Sequence, residues 1–180
     1  MIRRVVTVTG PPGSGKSTAG RRVAASLGLE YRAAGDLFRA EAARRGMDLA
    51  AFGAYAEAHP EVDRTLDAGM QALAVPGRLL DGRIQGALCR RAGRPVWALV
   101  VTASEEARAA RVAGRDGGTP ESTAAALRAR AESERRRYRA FYGIDVDAEP
   151  ADLTVDATDA GPEEVARTIV DFLSARESTP

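Results

Sequence analysis

The glycine-rich segment near the amino terminus constrains the fold more than any other feature of the chain. It follows an apolar, β-branched run at residues 4–9 and leads into a helical pattern that ends at Gly28. The segment reads Gly10-Pro11-Pro12-Gly13-Ser14-Gly15-Lys16-Ser17-Thr18, which fits the spacing G-x-x-x-x-G-K-[ST]. A strand, this loop and a helix in that order predict a phosphate-binding loop within an α/β fold.

The chemistry of this loop predicts a nucleoside triphosphate and Mg²⁺ as its ligands. Glycines let successive backbone N–H groups turn toward phosphate oxygens, and the helix that follows adds the positive end of its dipole. Lys16 is expected to reach the β- and γ-phosphates, and the Ser17 hydroxyl to bind Mg²⁺. Lys16 is also the only lysine among 26 lysine and arginine residues, which indicates a need for a compact ammonium group. We therefore expect ATP to bind residues 10–18, with Thr18 packing or capping.

Short β-type runs alternate with helical stretches along the chain, which is the pattern of a parallel sheet covered by helices. We predict strands at residues 4–9, 30–33, 78–80, 95–101 and 153–155. Helix starts are marked by Ser104 and by the pairs Thr119-Pro120 and Gly161-Pro162. The sequence thus predicts one three-layer α/β/α domain over residues 1–180.

Two segments exceed what simple connections between strands require. The stretch between the second and third strands is longer than one crossover helix needs and contains several glycines, which predicts an inserted substrate-binding region at about 37–75. A glycine-rich turn at 114–118 lies between two arginine-rich helical patterns. That turn predicts a mobile lid at about 108–120.

Composition and charge exclude several kinds of partner. A net charge of +1 over 180 residues argues against broad binding to nucleic acid or to an anionic membrane. The apolar run at residues 4–9 is too short for a signal peptide or a membrane span. Cys89 is the only cysteine and His59 the only histidine, so the chain can form neither an internal disulfide nor a Cys/His metal cluster. We expect a cytoplasmic monomer without membrane or nucleic-acid partners.

The segment Leu79-Leu80-Asp81-Gly82-Arg83 reads as the end of a buried strand and the turn after it. Asp81 should emerge at the carboxyl edge of the sheet, near the phosphate loop, where it can hold a water bound to Mg²⁺. An Asp-Gly turn without that role is the alternative. Switch GTPases are excluded, because their guanine-reading signature contains a second lysine that this chain lacks.

Several segments resemble the cytidylate kinases of the compact archaeal type, and together they cover nearly the whole chain. They lie at residues 33–39, 46–67, 81–83, 132–138 and 142–145. The most specific is Tyr55-Ala56-Glu57-Ala58-His59-Pro60-Glu61-Val62-Asp63-Arg64, which is less similar to adenylate kinases. The resemblance implies a five-stranded parallel sheet in the order 2-3-1-4-5. It also implies transfer of the γ-phosphoryl group of ATP to CMP or dCMP.

The resemblance further implies roles for arginines that would meet phosphate groups. Arg39 and Arg83 are expected to grip the acceptor phosphate, because guanidinium forks suit a dianion. Arg108, Arg111 and Arg115 recur at spacings of three and four, so one face of the lid helix would point cations at the phosphates. Of these, Arg111 and Arg115 are the stronger candidates. A solvated arginine-rich face is the alternative.

A second helix carries Arg130, Glu134 and Arg137 at positions i, i+4 and i+7, which predicts one face on which the acid holds both arginines toward the transferring phosphate. An exposed helix with surface ion pairs, including Glu132 with Arg136, is the alternative. Bacterial cytidylate kinases place an acid directly after the Gly-Arg pair to receive the cytosine amino group, but this chain has Ile84 there. Base recognition must then come from other polar side chains. The candidates are Asp63, Arg64, Gln85 and Asp67.

Two other functions are compatible with the same motifs. One is an adenylate-kinase-like enzyme or another small-metabolite kinase, since Asp81-Gly82-Arg83 occurs in related forms there. The other is a regulatory or assembly factor that keeps the phosphate loop but turns over nucleotide slowly. The near-neutral charge and the full set of arginines favour an enzyme.

Overall fold

A parallel sheet of five strands lies at the centre of the computed structural model, which describes residues 2–178. The strands are β1 (Val5–Thr9), β2 (Glu30–Ala33), β3 (Arg78–Asp81), β4 (Val96–Thr102) and β5 (Leu153–Asp156). Their spatial order is β2-β3-β1-β4-β5, so the predicted order is confirmed. The register places Val8 beside Asp81 on one side of β1 and beside Leu99 on the other. The carboxyl ends of β1, β3 and β4 therefore meet at one edge.

Helices connect these strands, and four of them, the first and the last three, lie where the capping signals predict. They are α1 (Lys16–Leu27), α2 (Ala34–Arg44), α3 (Leu49–Ala58), α4 (Pro60–Ala72), α5 (Gln85–Arg91), α6 (Glu105–Asp116), α7 (Pro120–Tyr142) and α8 (Pro162–Glu177). Ser104 and Thr119 cap α6 and α7 by accepting hydrogen bonds from Ala107 N and Ser122 N. Gly28 ends α1 in the left-handed conformation.

Alternation along β1 divides the core between the two faces of the sheet. Val6 and Val8 pack with α1 and α8, in a cluster that includes Val23 and Ile169. Val5 points to the opposite face and packs in a second cluster, with side chains of α4 and α5. Helices therefore cover both faces, and the three-layer α/β/α prediction is confirmed.

The predicted insertion corresponds to most of α2 together with α3 and α4. It has its own small cluster of buried side chains, formed by Ala42, Phe52, Ala56 and Val62. The predicted turn at 114–118 is shorter than expected, because Gly114 continues α6 and only Gly117 and Gly118 leave the helix, with φ of +85° and +98°. An isolated glycine costs a helix only about 1 kcal/mol, which does not break it. Within residues 2–178 no helix has both the length and the apolar character of a membrane span.

Candidate active site

The glycine-rich loop joins the carboxyl end of β1 to α1 and lies close to neighbouring backbone at two points. At Gly10, a Cβ atom would lie 2.0 Å from the Val101 carbonyl oxygen, so no larger residue fits beside β4. At Gly13, where φ is +83°, a Cβ atom would lie 3.1 Å from the Cβ and the carbonyl oxygen of Arg108. Gly10 leaves no space for a side chain, whereas at Gly13 the contact is tight and the positive φ is what favours glycine. The loop is therefore held between β4 and α6.

Lys16 begins α1 and is half-buried between two acids. Burial lowers the pKa of the Lys16 ammonium group, although the negative charges of Asp81 and Glu134 act to raise it. Asp81 ends β3, and Glu134 lies on α7. The lysine of the loop thus faces acids from two separate elements.

Ser17 and Asp81, the two residues predicted to serve Mg²⁺, are in direct contact. The Ser17 hydroxyl donates to Asp81 Oδ2 at 2.5 Å, and Asp81 is only 3% exposed. The Tyr31 hydroxyl donates to the same oxygen at 2.6 Å. Tyr31 did not emerge from the sequence, although its place on the strand next to β3 is a signal that could have identified it.

Ser17 and Asp81 suit Mg²⁺, because hydroxyl and carboxylate oxygens are the ligands that this ion prefers. Among residues 2–178 no group of three or more His, Cys, Asp or Glu side chains forms a metal cage. A magnesium ion held here would complete its coordination with phosphate oxygens and water, which is its usual behaviour at nucleotide sites. The donor set therefore fits the ion.

Glu134 joins two of the predicted arginines at the centre of the site. It accepts from Arg83 Nε at 2.9 Å and from Arg130 Nε at 3.0 Å. Arg83 and Glu134 are both buried, whereas half of the Arg130 side chain is exposed. Burial acts to raise the pKa of Glu134, but the charges of Arg130, Arg83 and Lys16 outweigh it and hold that pKa below its usual value.

The expected contact between Glu134 and Arg137 is absent from the described residues, and this part of the prediction is wrong. Arg137 Nη1 instead donates to both carboxylate oxygens of Asp63, at 2.7 Å each, in a pair that is almost fully buried. The guanidinium also lies 5.4 Å from the centre of the Phe38 ring. Its Nε has no partner among the described residues. Arg137 pairs with Asp63 on α4, which offers both of its carboxylate oxygens, whereas the oxygens of Glu134 already bind Arg83 and Arg130.

Gln85 and Asp67, both candidates for base recognition, form a buried polar chain. Gln85 Nε2 donates to Asp67 Oδ1 at 2.8 Å, and Gln85 Oε1 accepts from Gln71 Nε2 at 2.8 Å. Asp67 Oδ2 accepts from the Tyr142 hydroxyl at 2.9 Å. Burial raises the pKa of Asp67 to about 6, with a smaller contribution from the charge of Asp63. The sequence did not identify Gln71 and Tyr142 as members of this group of hydrogen-bonded side chains.

The remaining predicted binding residues lie outside the buried centre. Arg64 is exposed on α4, one position after Asp63. Arg39 is exposed on α2, where it donates to Asp36 Oδ1 at 2.6 Å and folds over Gly35. Neither side chain contacts Glu134 or Asp81 in the part of the chain that the structure describes.

The three arginines predicted for the lid divide into two groups. Arg108 donates to the Pro12 carbonyl oxygen at 3.3 Å, and Arg111 to the Ser14 carbonyl oxygen at 3.5 Å, so both lie against the glycine-rich loop. Arg111 also reaches the carbonyl oxygens that follow β5, including that of Thr158 at 3.2 Å. Arg115 instead pairs with Asp116 in solvent.

The sequence of this chain is similar to those of known nucleotide-binding proteins and kinases. A family described as AAA domain matches residues 9–128. A protein named cytidylate kinase from Archaeoglobus fulgidus is 40% identical over 144 residues, which cover 79% of this chain and 78% of the relative. The corresponding protein of Methanoculleus marisnigri is 39% identical over 169 residues, covering 92% and 91%.

Solved structures show the same fold at lower identity. A gluconokinase from Sinorhizobium meliloti superposes with a TM-score of 0.64 at 17% identity and covers 97% of this chain and 94% of its own. That likeness concerns the fold alone. The identity to the archaeal proteins, over most of both chains, is much higher, and from it we conclude that this chain belongs to the cytidylate kinase family.

Proposed function

We propose that this protein transfers the γ-phosphoryl group of ATP to CMP and dCMP with the help of Mg²⁺. The observation that carries the proposal is the position of Glu134, whose charge acts on Lys16 of the nucleotide loop while its oxygens hold Arg83 and Arg130. A donor loop and a cluster of arginines thus meet at one acid. That arrangement suits the joining of two phosphate groups.

On the donor side, the backbone of residues 10–18 would surround the phosphates of ATP, and Lys16 would bind the β- and γ-phosphates. Ser17 would bind Mg²⁺ directly, and Asp81 would hold a water of its coordination shell. When bound, Mg²⁺ would supply positive charge that offsets the charge of the phosphate oxygens. Arg111 and Arg115 would add cations from α6, Arg111 after releasing the Ser14 carbonyl.

On the acceptor side, Arg39 and Arg83 would hold the monophosphate, and Arg130 and Arg137 would neutralise charge on the transferring group. Phosphoryl transfer has a loose transition state, so alignment and neutralisation do most of the catalysis. An acceptor phosphate already offers an anionic oxygen as the nucleophile. For that reason no strong general base is needed.

Among the four candidates for reading the base, Asp67 and Gln85 suit the role better than Asp63. Both oxygens of Asp63 are bound to Arg137, so we assign Asp63 to positioning that arginine. Asp67 and Gln85 remain as a buried acid–amide pair next to the acceptor arginines, and Arg64 is the nearest exposed cation on α4. Cytosine presents one amino donor and two acceptors, which an acid, an amide and an arginine can match.

The test is a coupled assay of purified protein with ATP and four acceptors, CMP, dCMP, UMP and AMP. We expect kcat/KM for CMP and dCMP to exceed that for AMP by at least roughly a hundredfold, because a buried polar group left unpaired costs a few kcal/mol. A preference for AMP would indicate an adenylate-kinase-like enzyme. Binding of ATP without turnover of any acceptor would indicate a regulatory factor. The monomeric state and the cytoplasmic location stay predictions.

A further inference from the structure

Tyr31 is the one side chain at the magnesium end of the site to which the reaction as proposed gives no task. It lies on β2, which β3 separates from β1 and the glycine-rich loop, and it is half-buried. Its hydroxyl reaches the end of the neighbouring strand β3 and donates to Asp81 Oδ2 at 2.6 Å. A tyrosine that only filled space would not need this polar contact, because phenylalanine has nearly the same shape.

Asp81 Oδ2 therefore receives two hydrogen bonds, from Tyr31 and from Ser17 at 2.5 Å. An ionised carboxylate can only accept, so the Ser17 proton points at Asp81 and the lone pairs of the Ser17 oxygen point elsewhere. Two donors from different elements, α1 and β2, also fix the rotation of the carboxylate. Asp81 Oδ1 receives neither of these bonds and is the oxygen left for a metal-bound water.

The Tyr31 ring is itself held on both sides. A Cβ atom on Gly20 would lie 3.1 Å from Tyr31 Cε2, so the ring lies directly against the backbone of α1. The Arg21 guanidinium lies 4.4 Å from the ring centre in a cation–π contact. Packing of this kind restricts the ring, and the hydroxyl has one well-defined direction.

We propose that Tyr31 is a positioning residue for Mg²⁺, which fixes the Asp81 carboxylate so that Ser17 can present its oxygen to the ion and Asp81 can hold a water bound to the ion. The proposal rests on the proposed use of ATP with Mg²⁺ and is independent of the acceptor. Tyr31 does not touch the ion or the phosphates. It acts through Asp81, as residues bonded to metal-binding carboxylates generally do.

The test compares Tyr31→Phe with a matched control, Tyr55→Phe, which removes a hydroxyl on α3 next to Arg45. ATP affinity is measured by calorimetry with excess Mg²⁺ and again with EDTA. We expect Tyr31→Phe to weaken ATP binding roughly tenfold in Mg²⁺, at the lower end for residues behind a metal ligand, and to leave binding in EDTA unchanged. Tyr55→Phe should change neither affinity. An equal loss with and without Mg²⁺, or no loss, would overturn the proposal.

A double-mutant cycle with Asp81→Ala separates positioning from damage to the fold. Because alanine cannot accept the Tyr31 hydrogen bond, adding Tyr31→Phe to Asp81→Ala should weaken Mg²⁺-dependent ATP binding no further if Tyr31 acts through Asp81. Additive losses would contradict the proposal, even if Tyr31→Phe lowers the melting temperature. Because the readout is binding, it needs no acceptor. Failure to phosphorylate CMP would leave it standing, whereas wild-type protein that binds no ATP would refute the proposed function first.

Discussion

The proposed donor edge of the site, formed by residues 10–18 with Tyr31 and Asp81, differs in construction from the proposed acceptor side, formed by Asp63, Arg83, Glu134 and Arg137. The donor edge is mainly backbone, shaped by Gly10, which has no space for a side chain, and by Gly13, whose positive φ favours glycine. The acceptor side is made of charged side chains that pair across long stretches of sequence, such as Arg137 with Asp63. Backbone conformation therefore determines the shape of the donor edge, and ion pairs determine the arrangement of the acceptor side.

The difference shows how the arginines proposed to bind the acceptor are held in place by the protein itself. Arg83 and Arg137 are buried in ion pairs, and each is held in place by a carboxylate. Removing one member of such a pair leaves an uncompensated buried charge, which costs about 3–5 kcal/mol. The exposed pair of Arg39 with Asp36 contributes about 0–1 kcal/mol. Stability should therefore depend strongly on the buried pairs and little on the exposed ones.

The largest effect is expected on the donor edge, from Lys16→Ala. Loss of the ammonium group at the phosphates should lower kcat by roughly a thousandfold or more. Lys16→Arg should be nearly as inactive, because a planar fork cannot replace a compact ammonium group in the loop. Steady-state kinetics with ATP and CMP measure both variants. Turnover near the wild-type rate in Lys16→Arg would show that the loop accepts any cation and does not require a compact ammonium group.

A large loss of stability is expected on the acceptor side, from Asp63→Ala. The variant leaves Arg137 buried without its partner, and the free energy of unfolding should fall by about 3–5 kcal/mol. The double variant Asp63→Leu with Arg137→Leu should recover much of that loss, because an apolar pair replaces a buried ion pair. Urea unfolding measures all three. As the control, Asp36→Ala removes an exposed acid and should cost about 0–1 kcal/mol. Equal losses in Asp63→Ala and Asp36→Ala would remove the distinction between buried and exposed pairs.

Asp67 should make stability depend on pH. Its folded pKa of about 6 lies above the usual value of 3.8, because burial favours the protonated form. Folding therefore gains stability from this group below pH 3.8 and loses it as the pH rises through 6. The difference amounts to roughly 2–3 kcal/mol. Urea unfolding at pH 4.5 and pH 7 should show a smaller decline in Asp67→Asn than in wild type. Identical declines would mean that Asp67 titrates normally.

A smaller effect should separate the two arginines assigned to the acceptor phosphate. Arg39→Ala and Arg83→Ala should each raise KM for CMP about tenfold, with ATP affinity almost unchanged. Only Arg83→Ala should also destabilise the fold, since it leaves Glu134 with one partner fewer. Arg32→Ala, on the exposed side of β2, is the matched control and should change neither quantity. If ATP affinity falls as much as CMP affinity, these arginines do not belong to the acceptor side.

The same contrast explains which parts of the fold and of the site could be predicted from the sequence. The glycine-rich loop, the five strands and Asp81 at the sheet edge follow from local patterns, and the resemblance supplied the strand order. Pairing of Arg137 on α7 with Asp63 on α4 depends on the tertiary fold, since these residues are 74 positions apart. Spacing on α7 correctly joined Arg130 to Glu134, but it could not show that Arg83 would take the other oxygen of the acid. Tyr31 was missed because its role depends on a bond across two strands.

The environment of Lys16 has a practical consequence for chemical labelling. Its pKa is lowered by burial, and a larger share of its amino groups is therefore uncharged and nucleophilic than on an ordinary lysine. Because the chain has no other lysine, an amine-reactive reagent can modify only this side chain and the terminal amine. The extent of modification, read by mass spectrometry, would report how much of the nucleotide loop is free. Modification of Lys16 can thus be used to measure the fraction of molecules with nucleotide bound at the loop.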